Sequence, residues 1–114
     1  MKPAKQEVLQ GTLDLMVLQS LAALGPLHGY GIARRIEQVS EDSLTLNEGT
    51  VYQALLRLQQ KGWITADWGL SENNRRAKFY AVTRSGRKQL TRETESWHRV
   101  SRLVGKLLQL GTGK

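Results

Sequence analysis

The spacing of apolar residues changes once along this sequence, from a helical period to a strand period, just after Gly62. Before Gly62, three segments repeat apolar residues at intervals of three and four, which is typical of helices that bury one face. After Gly62, residues 63–68 and 78–82 alternate in the manner of β-strands. This order predicts a mainly α structure with a small β-hairpin (α+β).

Three helices are predicted, over residues 10–24, 29–40 and 48–61. Gly25-Pro26 ends the first, Asn47 is a good N-cap for the third, and Gly62 is a typical C-terminal stop. The predicted buried faces are Leu9, Leu13, Met16, Val17, Leu21 and Leu24 in the first helix, Ile32, Ile36 and Val39 in the second, and Val51, Leu55 and Leu58 in the third. The outer face of the third helix carries Gln53, Arg57 and Gln60.

The two predicted strands form a hairpin around a turn-rich loop. Alternation places Ile64, Ala66 and Trp68 on one face of the first strand. We interpret Trp63 and Trp68 as packing residues at the junction of helices and hairpin, because a bare hairpin is only marginally stable in water.

The last predicted element is one long helix, capped by Thr83 or Ser85. Trp97, Val100, Val104 and Leu107 follow a 3-4-3 spacing that is typical of a coiled coil. A helix of about 25 residues extends about 37 Å, more than a small domain covers by itself. We therefore expect its apolar face to meet a second copy of the chain. The predicted domains are residues 8–83 and a dimerisation helix over 84–110.

Positive charge is concentrated in one part of the sequence. The net charge of the chain is +7, and residues 71–92 hold seven basic residues against one acidic residue. This segregation predicts an anionic partner, with nucleic acid favoured over an anionic membrane surface. The chain has no cysteine, which fits a reducing cytoplasm, and its apolar runs are too short to span a membrane.

Enzyme and cofactor motifs are missing from the sequence. With no cysteine and two histidines, one chain has too few ligands for a multi-His or thiolate metal site. The Gly29/Gly31 pair does not continue as a dinucleotide-binding fingerprint, because Arg34 stands where the third glycine is needed. We find no nucleophile motif and no paired carboxylates spaced for acid–base chemistry. The prediction is a protein that is not an enzyme and holds neither metal nor cofactor.

Three helices followed by a hairpin with a basic tip is the order of a winged helix-turn-helix, in which a helix enters the major groove of DNA and the hairpin reaches the adjoining backbone. Three alternatives stay open. The third helix is also compatible with an ordinary amphipathic surface helix, and the basic turn with a solvated turn that protects a sheet edge. Trp97 is either a dimer anchor or part of an aromatic-ligand pocket. The long helix alone would suit an interaction scaffold that does not bind DNA.

The sequence resembles the PadR family of bacterial transcriptional regulators in five segments, which cover roughly residues 9–90 in order. They are residues 9–15 (LQGTLDL), 25–32 (GPLHGYGI), 48–58 (EGTVYQALLRL), 62–64 (GWI) and 75–86 (RRAKFYAVTRSG). Two substitutions depart from the usual pattern: Phe79 replaces a tyrosine and Asn47 stands where many relatives have serine. The resemblance implies a winged helix-turn-helix repressor that binds a palindromic operator as a homodimer.

The resemblance also implies roles for individual residues. It predicts that Tyr30, Thr50 and Tyr52 contact the DNA backbone and that Gln53 and Arg57 are candidates for contacts with base edges. The DNA contacts that it predicts in the wing are Asn74, Arg75, Arg76 and Lys78. In the family the last helix pairs with the first helix and with the partner's last helix, so Leu13, Leu90, Trp97, Val100, Val104 and Leu107 are the expected dimer contacts. Trp97 matches a tryptophan that stacks on planar drugs in some members, which implies a possible small aromatic effector.

Overall fold

Four helices and a three-stranded antiparallel sheet make up the fold in the computed structural model, which describes residues 10–111. The elements are α1 (Gln10–Leu24), β1 (Leu27–His28), α2 (Gly29–Val39), α3 (Glu48–Gln60), β2 (Ile64–Leu70), β3 (Arg76–Val82) and α4 (Arg84–Leu108). This confirms the predicted fold class, a winged helix-turn-helix with a long C-terminal helix. Leu9 and residue 8, the predicted start of the first domain, lie outside the described residues, and the domain division at residue 84 stays a prediction.

Side-chain caps fix where three of the helices begin. Each capping residue has an extended backbone and accepts a hydrogen bond from a backbone N–H two or three residues further on. The bonds join His28 Nδ1 to Gly31 N (3.0 Å), Asn47 Oδ1 to Gly49 N (2.6 Å) and Thr83 Oγ1 to Gly86 N (3.0 Å). After α3 the chain turns at Gly62, whose φ of +75° lies in the region that favours glycine.

The sheet contains one strand more than the predicted hairpin. Its order is β1-β3-β2, with Leu27 opposite Tyr80 and His28 opposite Phe79. Strand β1 has only two residues, too few for an alternating pattern to be recognised in the sequence. Because β1 leads directly into α2, its pairing with β3 attaches the start of α2 to the hairpin.

The core lies between α1, α2 and α3 and is closed by the base of the sheet. Its buried members are Leu13, Val17, Leu18, Leu21, Ile32, Ala33, Ile36, Val51, Ala54, Leu55, Leu58, Ile64 and Tyr80. The prediction that Val39 faces the core is wrong, because α2 ends there and the side chain is 72% exposed. Leu24, the last residue of α1, is also exposed.

Two predicted dimer contacts pack within their own chain to different extents. Leu13 is 1% exposed and packs inside its own chain, and Leu90 packs partly buried against the same cluster. Leu13 is not available to a partner subunit without opening the core, so it is removed from the predicted interface. Leu90 is only partly buried, and its contact with a partner stays a prediction.

Helix α4 leaves the core after its first turns. Every residue from Glu95 to Gly111 is exposed, including Trp97, Val100, Val104 and Leu107. We call these four residues the apolar face of α4. The radius of gyration is 16.3 Å, whereas a compact domain of this length has about 13 Å. In the described part of the chain, no helix combines the length and the apolar character needed to cross a membrane.

Gly86 lies where the start of α4 passes close to the backbone of Trp63, the residue before β2, and it gives a first prediction. It is buried, and a Cβ there would overlap the backbone carbonyl oxygen of Trp63. Gly86→Ala is therefore expected to lower the free energy of unfolding by about 3 kcal/mol, the upper range for overpacking, because backbone must move.

Gly105→Ala in the same helix is the matched control, since a Cβ there would have nothing within 4 Å apart from its chain neighbours and the adjoining backbone of α4. This control should stabilise the chain by up to about 1 kcal/mol through helix propensity. The measurement is urea unfolding of both variants. Equal stabilities would contradict the packing role of Gly86.

Candidate nucleic-acid interface

One open groove, with a volume of about 740 Å³, collects most of the predicted DNA contacts. It lies between the starts of α2 and α3 and the wing, by which we mean β2, β3 and the turn over residues 71–75. We call it the wing groove. Five of the nine predicted contacts line it, namely Tyr30, Tyr52, Arg75, Arg76 and Lys78.

Burial of one face of α3 determines which side chains it presents outward. Val51, Ala54, Leu55 and Leu58 are buried against the core. The intervening residues of the first two turns, Thr50, Tyr52 and Gln53, are therefore exposed. Thr50 and Gln53 lie outside the lining of the wing groove, on the exposed side of α3.

The wing tip is a tight turn held by its own backbone. Ser71 N donates to Arg75 O (2.8 Å) and Asn74 N donates to Ser71 O (2.9 Å). Asn74 has a φ of +60°, a conformation that asparagine tolerates better than most residues. The turn leaves the side chains of Asn74 and Arg75 exposed, so the structure places Asn74 at the tip and outside the groove lining.

The lining of the wing groove is predominantly positive. Arg75, Arg76 and Lys78 line it, and no described carboxylate forms an ion pair with any of them. The N-termini of α2 and α3 also line it and contribute partial positive charge through the helix dipoles. Glu48 and Glu72 lie in the same lining and reduce, without cancelling, this positive character.

Burial also affects one tyrosine in the groove. It raises the pKa of the Tyr80 phenol above its ordinary value, and the neighbouring Tyr52 raises that pKa further. The folded chain therefore disfavours the phenolate, so ionisation of Tyr80 lowers stability as the pH rises past about 10. At neutral pH the phenol stays protonated.

Arg57 does not occupy the position expected of a base-reading residue. Its guanidinium forms a bidentate ion pair with the carboxylate of Asp14 in α1, with Nη2–Oδ1 and Nε–Oδ2 distances of 2.7 and 3.1 Å. The side chains of Arg57 and Asp14 are 26% and 12% exposed. The hydrogen bond that Arg57 donates to Asp14 raises the pKa of Arg57. The guanidinium thus fastens α3 to α1, and we remove Arg57 from the predicted base contacts. The partners are 43 residues apart, so local sequence patterns gave no sign of the pair.

The Asp14–Arg57 pair gives a second prediction. Asp14→Ala and Arg57→Ala should each lower the free energy of unfolding by about 1.5–3 kcal/mol, because each leaves a charged partner without its hydrogen bonds. The double variant should lose less than the sum, with a coupling energy of about 1–3 kcal/mol. Urea unfolding of the four proteins measures this cycle. Additive losses would show that the pair contributes nothing to stability.

Trp63 and Trp68 differ from each other in their surroundings. Trp63 is partly buried against the core, as predicted, and Lys61 Nζ lies 4.9 Å from its ring centroid. Trp68 is not a packing residue, since 59% of its surface is exposed. The sheet extends past the helices at this point, so strand alternation continues while burial ends.

A second groove of about 740 Å³ lies between α1, α2 and α4, away from the wing. Its lining is mainly apolar and includes Met16, Leu24, Ile36, Val39 and Trp97. Two residues exposed in the single chain, Leu24 and Val39, thus border one continuous apolar surface with Trp97.

Comparison with known proteins agrees with this arrangement. The sequence profile of the transcriptional regulator PadR-like family matches residues 17–92. A PadR-like transcriptional regulator from Bacillus cereus is 28% identical, with a TM-score of 0.75 over 88% of this chain and 94% of that one. A PadR family transcription regulator from Clostridium difficile R20291 is 30% identical, with a TM-score of 0.71 over 84% and 97%.

A 37.1 kDa protein in transposon TN4556 of Streptomyces fradiae is 40% identical over 96 residues, which cover 84% of this chain and 25% of that protein. The chain thus spans about a quarter of the length of this relative. The related proteins of known class are transcriptional regulators and not enzymes. From the family match, the shared fold and the wing groove together, we conclude that this chain belongs to the PadR-like family of transcriptional regulators.

Proposed function

We propose that the chain is a sequence-specific repressor that binds a palindromic DNA operator as a homodimer. The observation that carries this proposal is the wing groove, which joins the start of α3 to the basic tip of the wing. A helix fits the major groove of DNA, and a basic hairpin beside it reaches the adjacent phosphates. The same surface contains three of the seven basic residues of the segment 71–92, namely Arg75, Arg76 and Lys78.

In this arrangement α3 is the recognition helix. Its first two turns present Thr50, Tyr52 and Gln53 on the exposed side, and N-terminal residues of a recognition helix are those that reach base edges. The hydroxyls of Thr50 and Tyr52 suit phosphate oxygens. The Gln53 amide has a hydrogen-bond donor and an acceptor, which complement the acceptor and the donor that adenine presents in the major groove.

Gln53 therefore provides the experiment for base recognition. Duplexes bound by the wild-type chain are selected from a random DNA pool and compared with those bound by Gln53→Ala. We expect the variant to lose preference at one base pair in each half-site, equivalent to about 1–3 kcal/mol of discrimination. Gln60→Ala, two turns further along the same exposed face of α3, is the matched control and should keep the wild-type profile. An unchanged profile for Gln53→Ala would remove it from base recognition.

Dimerisation is proposed from the apolar face of α4, which the single chain leaves exposed. Paired α4 helices would relate two recognition helices by a two-fold axis, and a palindrome has the same symmetry. We propose repression, and not activation, because the chain resembles a family of repressors. We propose a cytoplasmic location for the same reason.

A small aromatic effector is the second candidate function, favoured by the apolar groove beside Trp97. Fluorescence of Trp97, with Trp63 and Trp68 replaced by phenylalanine, tests it against a panel of planar aromatic compounds. Saturable quenching that also weakens DNA binding would support an effector. No quenching by any compound would contradict it.

A further inference from the structure

Trp68 projects from the wing beside two of its cations. Its ring centroid lies 4.5 Å from Cζ of Arg76 and 5.6 Å from Nζ of Lys78, both within the range of a cation–π contact. The strand register explains the contacts. Trp68 is directly opposite Lys78, and Arg76 precedes Lys78 by two residues in β3 and so lies on the same face, closer to the tip of the wing.

This face of the sheet points toward the helices. Further down the same face, Ile64 and Tyr80 are buried in the core. Beyond the core the face continues as Trp68, Lys78 and Arg76, and the two cations line the wing groove opposite Tyr52 of α3. The tryptophan therefore holds its cations on the side of the wing that faces the recognition helix.

The kind of contact matters for what the cations can bind. The ion pairs among residues 10–111 are Arg34–Glu37 and Arg57–Asp14, so neither Arg76 nor Lys78 has a carboxylate partner there. A carboxylate would hold a guanidinium in place but would also cancel its charge. An indole ring restricts the side chain through its quadrupole and leaves the full positive charge available to a phosphate.

We propose that Trp68 is a positioning residue that holds Arg76 and Lys78 ready for DNA phosphates. The inference rests on the proposed DNA binding. Long flexible side chains lose conformational entropy when they contact a phosphate. Because the ring already restricts Arg76 and Lys78 in the free protein, less entropy is lost on binding. Trp68 thus increases affinity without contacting a base itself.

The test measures affinity for the duplex that the wild-type chain selects from a random pool, by fluorescence anisotropy of labelled DNA. Trp68→Leu removes the aromatic face and should weaken binding by about 10-fold. Trp68→Phe keeps an aromatic face and should bind within about threefold of wild type. In a background of Arg76→Met with Lys78→Met, the Trp68→Leu change should have no further effect. Because Trp68 is mostly exposed, urea unfolding of all variants should stay close to that of the wild type.

Wild-type affinity for Trp68→Leu would overturn the inference and leave the proposed function intact. An equal loss in Trp68→Leu with and without Arg76 and Lys78 would also overturn it, since the ring would then act on DNA directly. A wild-type chain that selects no duplex would overturn the proposed function together with this inference.

Discussion

Replacing Trp97 with alanine and Val104 with aspartate is expected to convert the proposed dimer into monomers and to weaken binding to the proposed operator by at least about 100-fold. Both residues lie on the apolar face of α4, seven positions apart and exposed in the single chain. Trp97→Ala removes the largest apolar surface, and Val104→Asp places a charge where a partner helix would bury it. A dimer that occupies both half-sites binds DNA with an affinity about 100- to 10,000-fold higher than a monomer on a single half-site, and separated monomers lose that increase.

Sedimentation velocity measures the mass, and anisotropy of a labelled palindromic duplex measures the affinity. Arg102→Asp is the matched control, because it adds a carboxylate about 200° around the helix from Val104 and should stay dimeric. A double variant that sediments as a dimer would place the interface elsewhere.

Replacing Arg75 and Arg76 with alanine is expected to weaken binding to every duplex at least 10-fold at about 0.1 M salt and to flatten the salt dependence of binding. Each phosphate contact contributes about 0.9 to the slope of log K against log salt concentration. Two contacts in each of two wings would lower that slope by about 4 units. The preferred sequence should not change, because phosphate contacts carry no direct base information.

The measurement is anisotropy across a salt series, with Arg99→Ala and Arg102→Ala as a control of equal charge. Those two arginines are exposed on the part of α4 that extends away from the core. Their loss should leave the slope near the wild-type value. Equal slopes for the wing variant and wild type would exclude Arg75 and Arg76 as phosphate contacts.

Local sequence patterns were enough to predict the helices and the wing. Asn47 before an apolar stripe and Gly62 after it predicted α3 to within one residue of its observed end. Thr83 was one of two predicted caps and is the cap of α4. Alternation predicted β2 and β3, although both strands extend two residues further toward the tip than the pattern indicated.

Contacts between distant segments could not be predicted in the same way. The pairing of Leu27 with Tyr80 and the ion pair of Arg57 with Asp14 depend on how helices and strands come together. Periodicity also shows which face of an element is apolar but not where the core stops along it. Val39 and Trp68 therefore seemed buried, although α2 ends at Val39 and the wing has passed the helices at Trp68.

Selection of bound duplexes from a random DNA pool tests the central claim most directly, because site sequence, symmetry and half-site spacing are obtained together. A homodimer with two recognition helices should enrich an inverted repeat whose half-site centres are about one helical turn, or 10–10.5 base pairs, apart or a multiple of this. Absence of any enriched sequence, or enrichment of a single unpaired half-site, would contradict the proposal of a dimeric, sequence-specific repressor.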